Sequence, residues 1–182
     1  MIKHLEGWTG YMGKDSVAAS VYSYTFFFLQ KSLFHTFDSE NEANRILFTD
    51  NYLFADAMVR LIESAANDGP ASKFNSICAN GYSEYTGKSP CSYNIAKSFV
   101  IAKSFLEENA SKKHEDWKWG NFLVKDYKNL PWSMTPLKAF FHREIPAEGN
   151  VNTPNVARIA NSKNANNLVF HSELAATYKH IM

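Results

Sequence analysis

Residues 16–30 are the most constraining stretch of the chain, because fifteen residues in a row carry no charge. Asp15 and Ser16 can cap a helix at the start of this stretch, and apolar residues then recur at helical spacing on nearly every side. A helix that is apolar nearly all round has to be packed by other elements on several sides. The sequence therefore predicts a helix from Ser16 to Phe37 that is built for the interior of a multilayer fold.

The same stretch predicts an exposed surface. Such a helix serves the core of something larger than a thin two-layer domain. We therefore expect contiguous exposed aromatic residues at Phe27 and Phe28, covered by another part of a larger protein or by a partner.

Composition and charge exclude several classes of protein. Hydrophobic residues make up 45% of the chain and aromatic residues 15%, which excludes intrinsic disorder. Nineteen basic and 18 acidic residues give a net charge of +1, so we expect no nucleic-acid or other polyanion partner. The uncharged stretch is too short and too polar for a membrane span, and residues 1–13 lack the apolar region of a signal peptide.

Helices are also predicted over much of the next 80 residues. A short one runs from Asp38 or Ser39 to Leu47, and a longer one begins at Asp50 or Asn51 and stops at the cluster Asn67-Asp68-Gly69-Pro70. Residues 71–90 are predicted to be a loop. The following helix has a predicted buried stripe of Ile95, Phe99, Ala102, Phe105 and Leu106.

The last third of the chain predicts short strands instead. One is expected around Phe122, Leu123 and Val124, one at residues 156–159 and one at residues 168–170, while Pro131 and Pro136 break any regular element between them. We therefore expect one segment over residues 1–182, mainly helical over 1–115 and mixed strand and loop over 116–182.

Three motifs approach a known chemistry without completing it. Gly87-Lys88-Ser89 lacks the earlier glycine of a phosphate-binding loop, His114-Glu115 lacks the second histidine of a zinc-protease helix, and Tyr85 replaces a glycine that a nucleophile elbow around Ser83 needs. The six histidines are scattered and none has metal-ligand spacing. The residues predict no metal, no cofactor and no catalytic constellation.

Cys78 and Cys91 are the only cysteines, and Asn109-Ala110-Ser111 is a glycosylation triplet. The turn-forming residues between the cysteines let the chain double back, so we expect them to be close enough to pair. A bridge would close a loop of about fourteen residues and stabilise the fold by roughly 3 kcal/mol. A disulfide and glycosylation at Asn109 fit an oxidising, secretory compartment, whereas two free thiols fit a reducing one.

Several short motifs, in order, resemble the penicillin acylase family of amide hydrolases. The first are Gly7-Trp8-Thr9-Gly10 and the helix start Ser16-Val17-Ala18-Ala19-Ser20-Val21-Tyr22. Later come Trp117-Lys118-Trp119-Gly120, Pro136 with Phe140-Phe141, Pro146, and Gly149-Asn150-Val151-Asn152-Thr153-Pro154-Asn155. They look like the family's Trp-Asp-Gly turn, Ser-x-Ala-Ala-x-x-Tyr helix, Trp-x-Trp-Gly, Pro and Phe positions, and Gly-Gly-x-x-Thr-x-Asn segment. Thr9 replaces the usual Asp, Asn150 replaces the second Gly, and the Ser-x-Arg that often follows the last strand is missing.

This resemblance implies an α+β fold of the N-terminal-nucleophile hydrolases, with four layers in the order αββα. In that family a serine exposed by self-cleavage attacks a linear amide, its own α-amine acts as base, and backbone amides with an Asn side chain hold the oxyanion. All these groups precede the Trp-Asp-Gly turn, so the resemblance assigns no catalytic residue here. It implies a piece of the family's larger chain, incomplete at both ends.

Three functions are compatible with the sequence. The first is a scaffold segment of such an amidohydrolase, whose partners are the smaller chain and the nucleophile-bearing region. The second is a non-catalytic structural or interaction subunit descended from the family, with another protein covering the helix from Ser16 to Phe37. The third, an unrelated helical binding domain, requires the ordered Trp and Gly motifs to be accidental and is the weakest.

Overall fold

The structure is a computed structural model that describes residues 1–33, 52–82, 84, 86–127, 131–132, 134–150, 153, 157–160 and 169–175. The helices are α1 (Val17–Leu33), α2 (Tyr52–Asp68), α3 (Asn75–Cys78), α4 (Pro90–Asn109) and α5 (Lys138–Phe141). The strands are β1 (Leu123–Tyr127), β2 (Arg143–Pro146), β3 (Ala157–Ala160) and β4 (Phe170–Ala175). The helix predicted from Asp38 or Ser39 to Leu47 and the end of the first helix, residues 34–37, lie outside the described residues.

The four strands form one mixed sheet in the order β2-β1-β4-β3. Strand β1 pairs antiparallel with β2 and parallel with β4, and β3 pairs antiparallel with β4. The parallel pair joins segments about fifty residues apart in sequence, with Leu123 opposite Phe170. The combination of helices with a largely antiparallel sheet is compatible with the predicted α+β class.

Helix α1 packs against α4, and both contribute to the main core over the sheet. Tyr24 lies at the centre of this core, 2% exposed, with its ring against Phe105, Phe122 and Phe170. Burial raises the pKa of the Tyr24 phenol far above its usual value. A second core lies farther along α1, where Leu29 and other apolar side chains of α1 meet α2 and the two cysteines.

The helix boundaries that the sequence predicts are confirmed at two places. Helix α1 begins at Val17, and the Ala19 N–H donates to Ser16 Oγ over 3.1 Å, which is a side-chain N-cap. Helix α2 ends at Asp68, and Gly69 follows with a φ of +50°. That left-handed conformation suits glycine and ends the helix where the Asn-Asp-Gly-Pro cluster predicts it.

The prediction of a loop over residues 71–90 is wrong in part. Helix α3 forms one turn there, and a 3-10 turn covers Gly69–Ala71. Asn75 stabilises the pair of turns, because its Nδ2 donates to the Pro70 carbonyl over 2.9 Å. A single turn held by such contacts leaves no periodic pattern in the sequence.

Residues 131–146 also contain regular elements where two prolines predict none. Helix α5 follows Pro136, and strand β2 pairs with β1 and ends at Pro146. All four residues of β2 are exposed, so the alternation that reveals a half-buried strand is absent.

The aromatic face of α1 is less exposed than predicted. Phe26, Phe27 and Phe28 are half-buried, with Phe28 against Phe105 and Phe27 against Phe170. Large exposed apolar residues among the described ones gather instead between residues 127 and 145.

The cap at Ser16 gives a first test of the fold. The Ser16→Ala variant should lose about 1 kcal/mol of unfolding free energy, because the Ala19 N–H loses its acceptor. Urea denaturation followed by circular dichroism measures the loss. Ser16→Gly should lose only a few tenths. A Ser16→Ala variant as stable as the wild-type chain would show that the hydroxyl does not cap the helix.

Candidate functional site

Three of the family-like segments meet at one place beside the start of α1. The Gly120 N–H donates to the Lys14 carbonyl over 2.7 Å, and the Trp119 N–H donates to the Ser16 carbonyl over 3.1 Å. The Gly149 N–H donates to the Met12 carbonyl over 2.7 Å. We call residues 12–16, 117–120 and 147–150 the motif junction. Main-chain hydrogen bonds therefore join residues 12–16 to both of the other segments, which are distant in sequence.

Trp119 anchors the motif junction through its side chain. It is fully buried, its Nε1–H donates to the Gly149 carbonyl over 3.0 Å, and its ring packs against Phe170. Trp117 is also fully buried, and its Nε1–H donates to the Ser111 carbonyl over 2.7 Å. Each indole buries a large apolar surface and satisfies a carbonyl that would otherwise lose its contact with water.

Two glycines allow the close approach at the motif junction. A Cβ on Gly120 would lie 3.0 Å from the Lys14 Cβ and 3.2 Å from the Lys14 carbonyl oxygen, so Lys14 would have to shift by a few tenths of an ångström. Gly149 has a φ of +95°, a conformation that side chains rarely adopt. These are the glycines of the Trp-x-Trp-Gly and Gly-Gly-x-x-Thr-x-Asn resemblances.

The segment that leaves the motif junction forms a side-chain-stabilised turn before β3. The Asn150 N–H donates to Thr153 Oγ1 over 2.8 Å, and Thr153 Oγ1 donates back to the Asn150 carbonyl over 3.0 Å. The Ala157 N–H, at the start of β3, also donates to the Asn150 carbonyl. These hydrogen bonds tie Thr153 and the first residue of β3 to the end of the motif junction.

A cavity of about 340 Å³ lies against the motif junction. Asp15 on its wall pairs with Lys118 at 3.5 Å between Oδ1 and Nζ. The wall carries charges of both signs. The Ser16 hydroxyl on this wall caps α1, and no histidine is among the lining residues. The residues that line it are Tyr11, Gly13, Lys14, Asp15, Ser16 and Glu148.

The predicted proximity of Cys78 and Cys91 is confirmed. The two residues form a disulfide bridge, with their Cα atoms 4.9 Å apart. Both side chains are 1% exposed and belong to the second core. The bridge ties α3 to the first turn of α4.

Asn94 organises the same region and was missed by sequence reasoning. It is 1% exposed, its Nδ2 donates to the Cys78 carbonyl over 2.6 Å, and its Oδ1 accepts from the Tyr82 N–H over 3.1 Å. The available signal was its position one helical turn from Cys91 and from Ser98. The fully buried stripe of α4 is Cys91, Asn94, Ser98, Ala102 and Leu106, so the predicted aromatic positions Phe99 and Phe105 are only half-buried.

Asn109, the predicted glycosylation position, is the last residue of α4 and is exposed. Its Nδ2 donates to the Phe105 carbonyl over 2.9 Å within the helix. Ser111 of the same triplet donates its hydroxyl proton to Asp116 Oδ2 over 2.7 Å. Glycosylation at Asn109 stays a prediction.

The incomplete motifs lie apart from the motif junction or in local turns. Ser89 of the Gly-Lys-Ser run precedes α4, whose first residue is Pro90. His114-Glu115 lies in a 3-10 turn, with the His114 ring 4.3 Å from that of Trp117. Ser83 lies outside the described residues. Across the part of the chain that the structure describes, no three His, Cys, Asp or Glu side chains are grouped to hold a metal ion, and no helix there is long and apolar enough to cross a membrane.

A family model for penicillin amidase matches residues 2–182. The match covers almost the whole chain, including all three segments of the motif junction. The chain therefore belongs to the penicillin amidase family, as the order of its motifs predicts. No curated protein and no solved structure matches the chain at a significant level.

Proposed function

We propose that this chain is a scaffold segment of a penicillin-acylase-like amidohydrolase, which cleaves carbon–nitrogen bonds in linear amides of acylated small molecules. The nucleophilic serine, its α-amine and the oxyanion donors belong to a region outside residues 1–182. The complete protein would have the four-layer αββα fold of the N-terminal-nucleophile hydrolases. The family match over residues 2–182 supports an acylase-like origin.

The motif junction is the observation that carries this proposal. Its three segments hold α1 against the sheet through main-chain bonds and a buried indole. Residues that hold layers together keep a neighbouring active site in its productive geometry without touching substrate. A scaffold role therefore explains why the family's motifs here are Trp, Gly and Thr rather than acid, base or nucleophile.

A second candidate is a non-catalytic interaction subunit derived from the same family. The exposed apolar residues between positions 127 and 145 favour it, because a monomer rarely leaves such a surface uncovered. The two candidates differ in the reading frame around the gene segment. An upstream, in-frame serine at a processing junction supports the acylase segment, whereas a start codon at Met1 and a stop codon after Met182 support the subunit.

Because the nucleophile, its base and the oxyanion donors are proposed to lie outside residues 1–182, we expect the purified chain to have no amidase activity. Incubation with chromogenic phenylacetyl amides and long-chain acyl amides should release chromophore no faster than buffer alone. A heat-denatured sample controls for adsorption of the dye. Turnover that one Ser or His substitution abolishes would place a catalytic site inside residues 1–182 and overturn the proposal.

A further inference from the structure

Helix α4 holds Cys78 in two ways. The Cys78 side chain forms the bridge to Cys91, and its carbonyl accepts a hydrogen bond of 2.6 Å from Asn94 Nδ2, about one helical turn after Cys91. The other polar atom of the amide, Asn94 Oδ1, accepts from the Tyr82 N–H over 3.1 Å. Asn94 therefore binds both ends of the stretch that follows α3, which we call the 78–82 turn.

The bridge is closed to solvent in the structure. Both cysteines are 1% exposed, and apolar side chains of α1 and α2 pack with them in the second core. Reduction of a disulfide requires a thiolate to attack one of its sulfur atoms. Some part of the chain must therefore move before a small thiol can reach the bridge.

Helix α3 and the 78–82 turn can move at the lowest cost. Helix α3 has four residues, whereas α1, α2 and α4 have 17, 17 and 20. Ser76, Ile77, Ala79 and Asn80 are all exposed, so opening this segment uncovers little apolar surface. The Tyr82 hydroxyl lies 3.4 Å from the Phe28 carbonyl, which is long for a hydrogen bond.

We propose that α3 and the 78–82 turn form a redox-sensitive switch, which opens locally from α4 to admit a thiol to the bridge. Asn94 is the positioning residue that keeps the segment closed. Its two hydrogen bonds are buried beside the bridge, and both must break before Cys78 can move away from α4. The closed segment therefore protects the bridge, and the free energy of local opening sets the rate of reduction.

A dithiol such as dithiothreitol supplies the electrons for this reaction. One of its thiolates attacks a cysteine Sγ, the S–S bond breaks and a mixed disulfide forms. The second thiolate of the reductant then displaces the cysteine sulfur that is still bound. The dithiol ends as a cyclic disulfide, and its two protons end on the thiols of Cys78 and Cys91.

Opening of the switch should leave the main core closed. Among the described residues, the main core contains none from positions 75–82. The motif junction is joined through main-chain bonds of residues 12–16, which lie outside the segment that moves. A thiol would therefore loosen one side of the second core without separating α1 from the sheet.

The rate of reduction in urea tests local opening. The folded, oxidised chain is mixed with dithiothreitol at urea concentrations below the unfolding transition, and new thiols are counted by alkylation and intact mass. Because local opening exposes little surface, we expect the rate to depend only weakly on urea. A rate that rises with urea as steeply as global unfolding, from the lowest concentration upward, overturns the proposal.

Two variants test the role of Asn94. Asn94→Ala should speed reduction in the absence of urea about tenfold or more, because the closed segment loses two buried hydrogen bonds. Gly81→Ala removes no core side chain, but its Cβ would overlap the Asn94 amide, so it should also speed reduction. Asn109→Ala is the matched control, since Asn109 is exposed at the end of the same helix, and its rate should equal that of the wild-type chain.

Hydrogen exchange separates a positioning role from a general loss of stability. In oxidised Asn94→Ala, the amide protons of the 78–82 turn should exchange faster than in the wild-type chain. Those of Trp119 and Gly120 in the motif junction should exchange at the wild-type rate. Equal acceleration in both regions overturns the proposal, and so does reduction of both Asn94→Ala and Gly81→Ala at the wild-type rate.

Discussion

Replacing Trp119 by alanine should lower the free energy of unfolding by about 3–5 kcal/mol. The indole is fully buried between the start of α1 and the sheet, and it also satisfies the Gly149 carbonyl. The variant leaves a large cavity and an unpaired buried acceptor in the motif junction. Urea denaturation followed by far-ultraviolet circular dichroism at one low protein concentration measures the loss without depending on tryptophan fluorescence.

Two further variants separate the volume of Trp119 from its hydrogen bond. Trp119→Phe keeps most of the ring but no donor, so it should lose about 1–3 kcal/mol from the unpaired Gly149 carbonyl. Trp132→Ala removes an indole that is 40% exposed and should lose about 1 kcal/mol or less. If Trp119→Ala were no more destabilising than Trp132→Ala, the motif junction would not be an anchor of the fold.

Reduction of the Cys78–Cys91 bridge should lower the free energy of unfolding by about 3 kcal/mol. The bridge closes a loop with a sequence separation of 13 residues, and opening it returns chain entropy to the unfolded state. Denaturation of the oxidised and the reduced chain gives the difference directly. Intact-mass measurement after thiol alkylation confirms the state of the two cysteines in each sample.

The double variant Cys78→Ala/Cys91→Ala tests the same loop without a reductant. It should lose at least as much stability as reduction does, because both sulfur atoms are buried in the second core. The reduced wild-type chain therefore isolates the cross-link from the packing. Equal stability of oxidised and reduced chains would show that the loop between the cysteines is already constrained, and Asn94 would be the residue to test next.

The helices could be predicted from the sequence where local signals and the tertiary fold agree. The Ser16 cap, the Gly69 stop and Pro90 in the first turn of α4 each satisfy or remove main-chain groups within a few residues. Strand β1 follows the predicted position around Leu123 for a similar reason, since Phe122 and Leu123 are buried. Such signals act within a few residues, so they can be recognised without knowing which elements pack nearby.

The elements that sequence reasoning missed depend on contacts with distant residues. Strand β2 is exposed at all four positions and exists because β1 lies beside it. Helix α3 is one turn stabilised by Asn75 and by the bridge at Cys78. Asn94 occupies a buried helical position as a polar residue because the loop from Cys78 to Tyr82 presents a carbonyl and an N–H to it.

Motif order, capping residues and turn residues can be read along the chain, so the family, the main helices and the proximity of the two cysteines could be predicted without a structure. The meeting of residues 12–16, 117–120 and 147–150 became evident only from the fold, because main-chain hydrogen bonds between distant segments do not depend on residue type. The fold also decided which aromatic residues stay in water. Phe27 and the aromatic residues between positions 127 and 145 look alike in the sequence. Phe27 is less exposed than they are, because Phe170 of β4 packs against it.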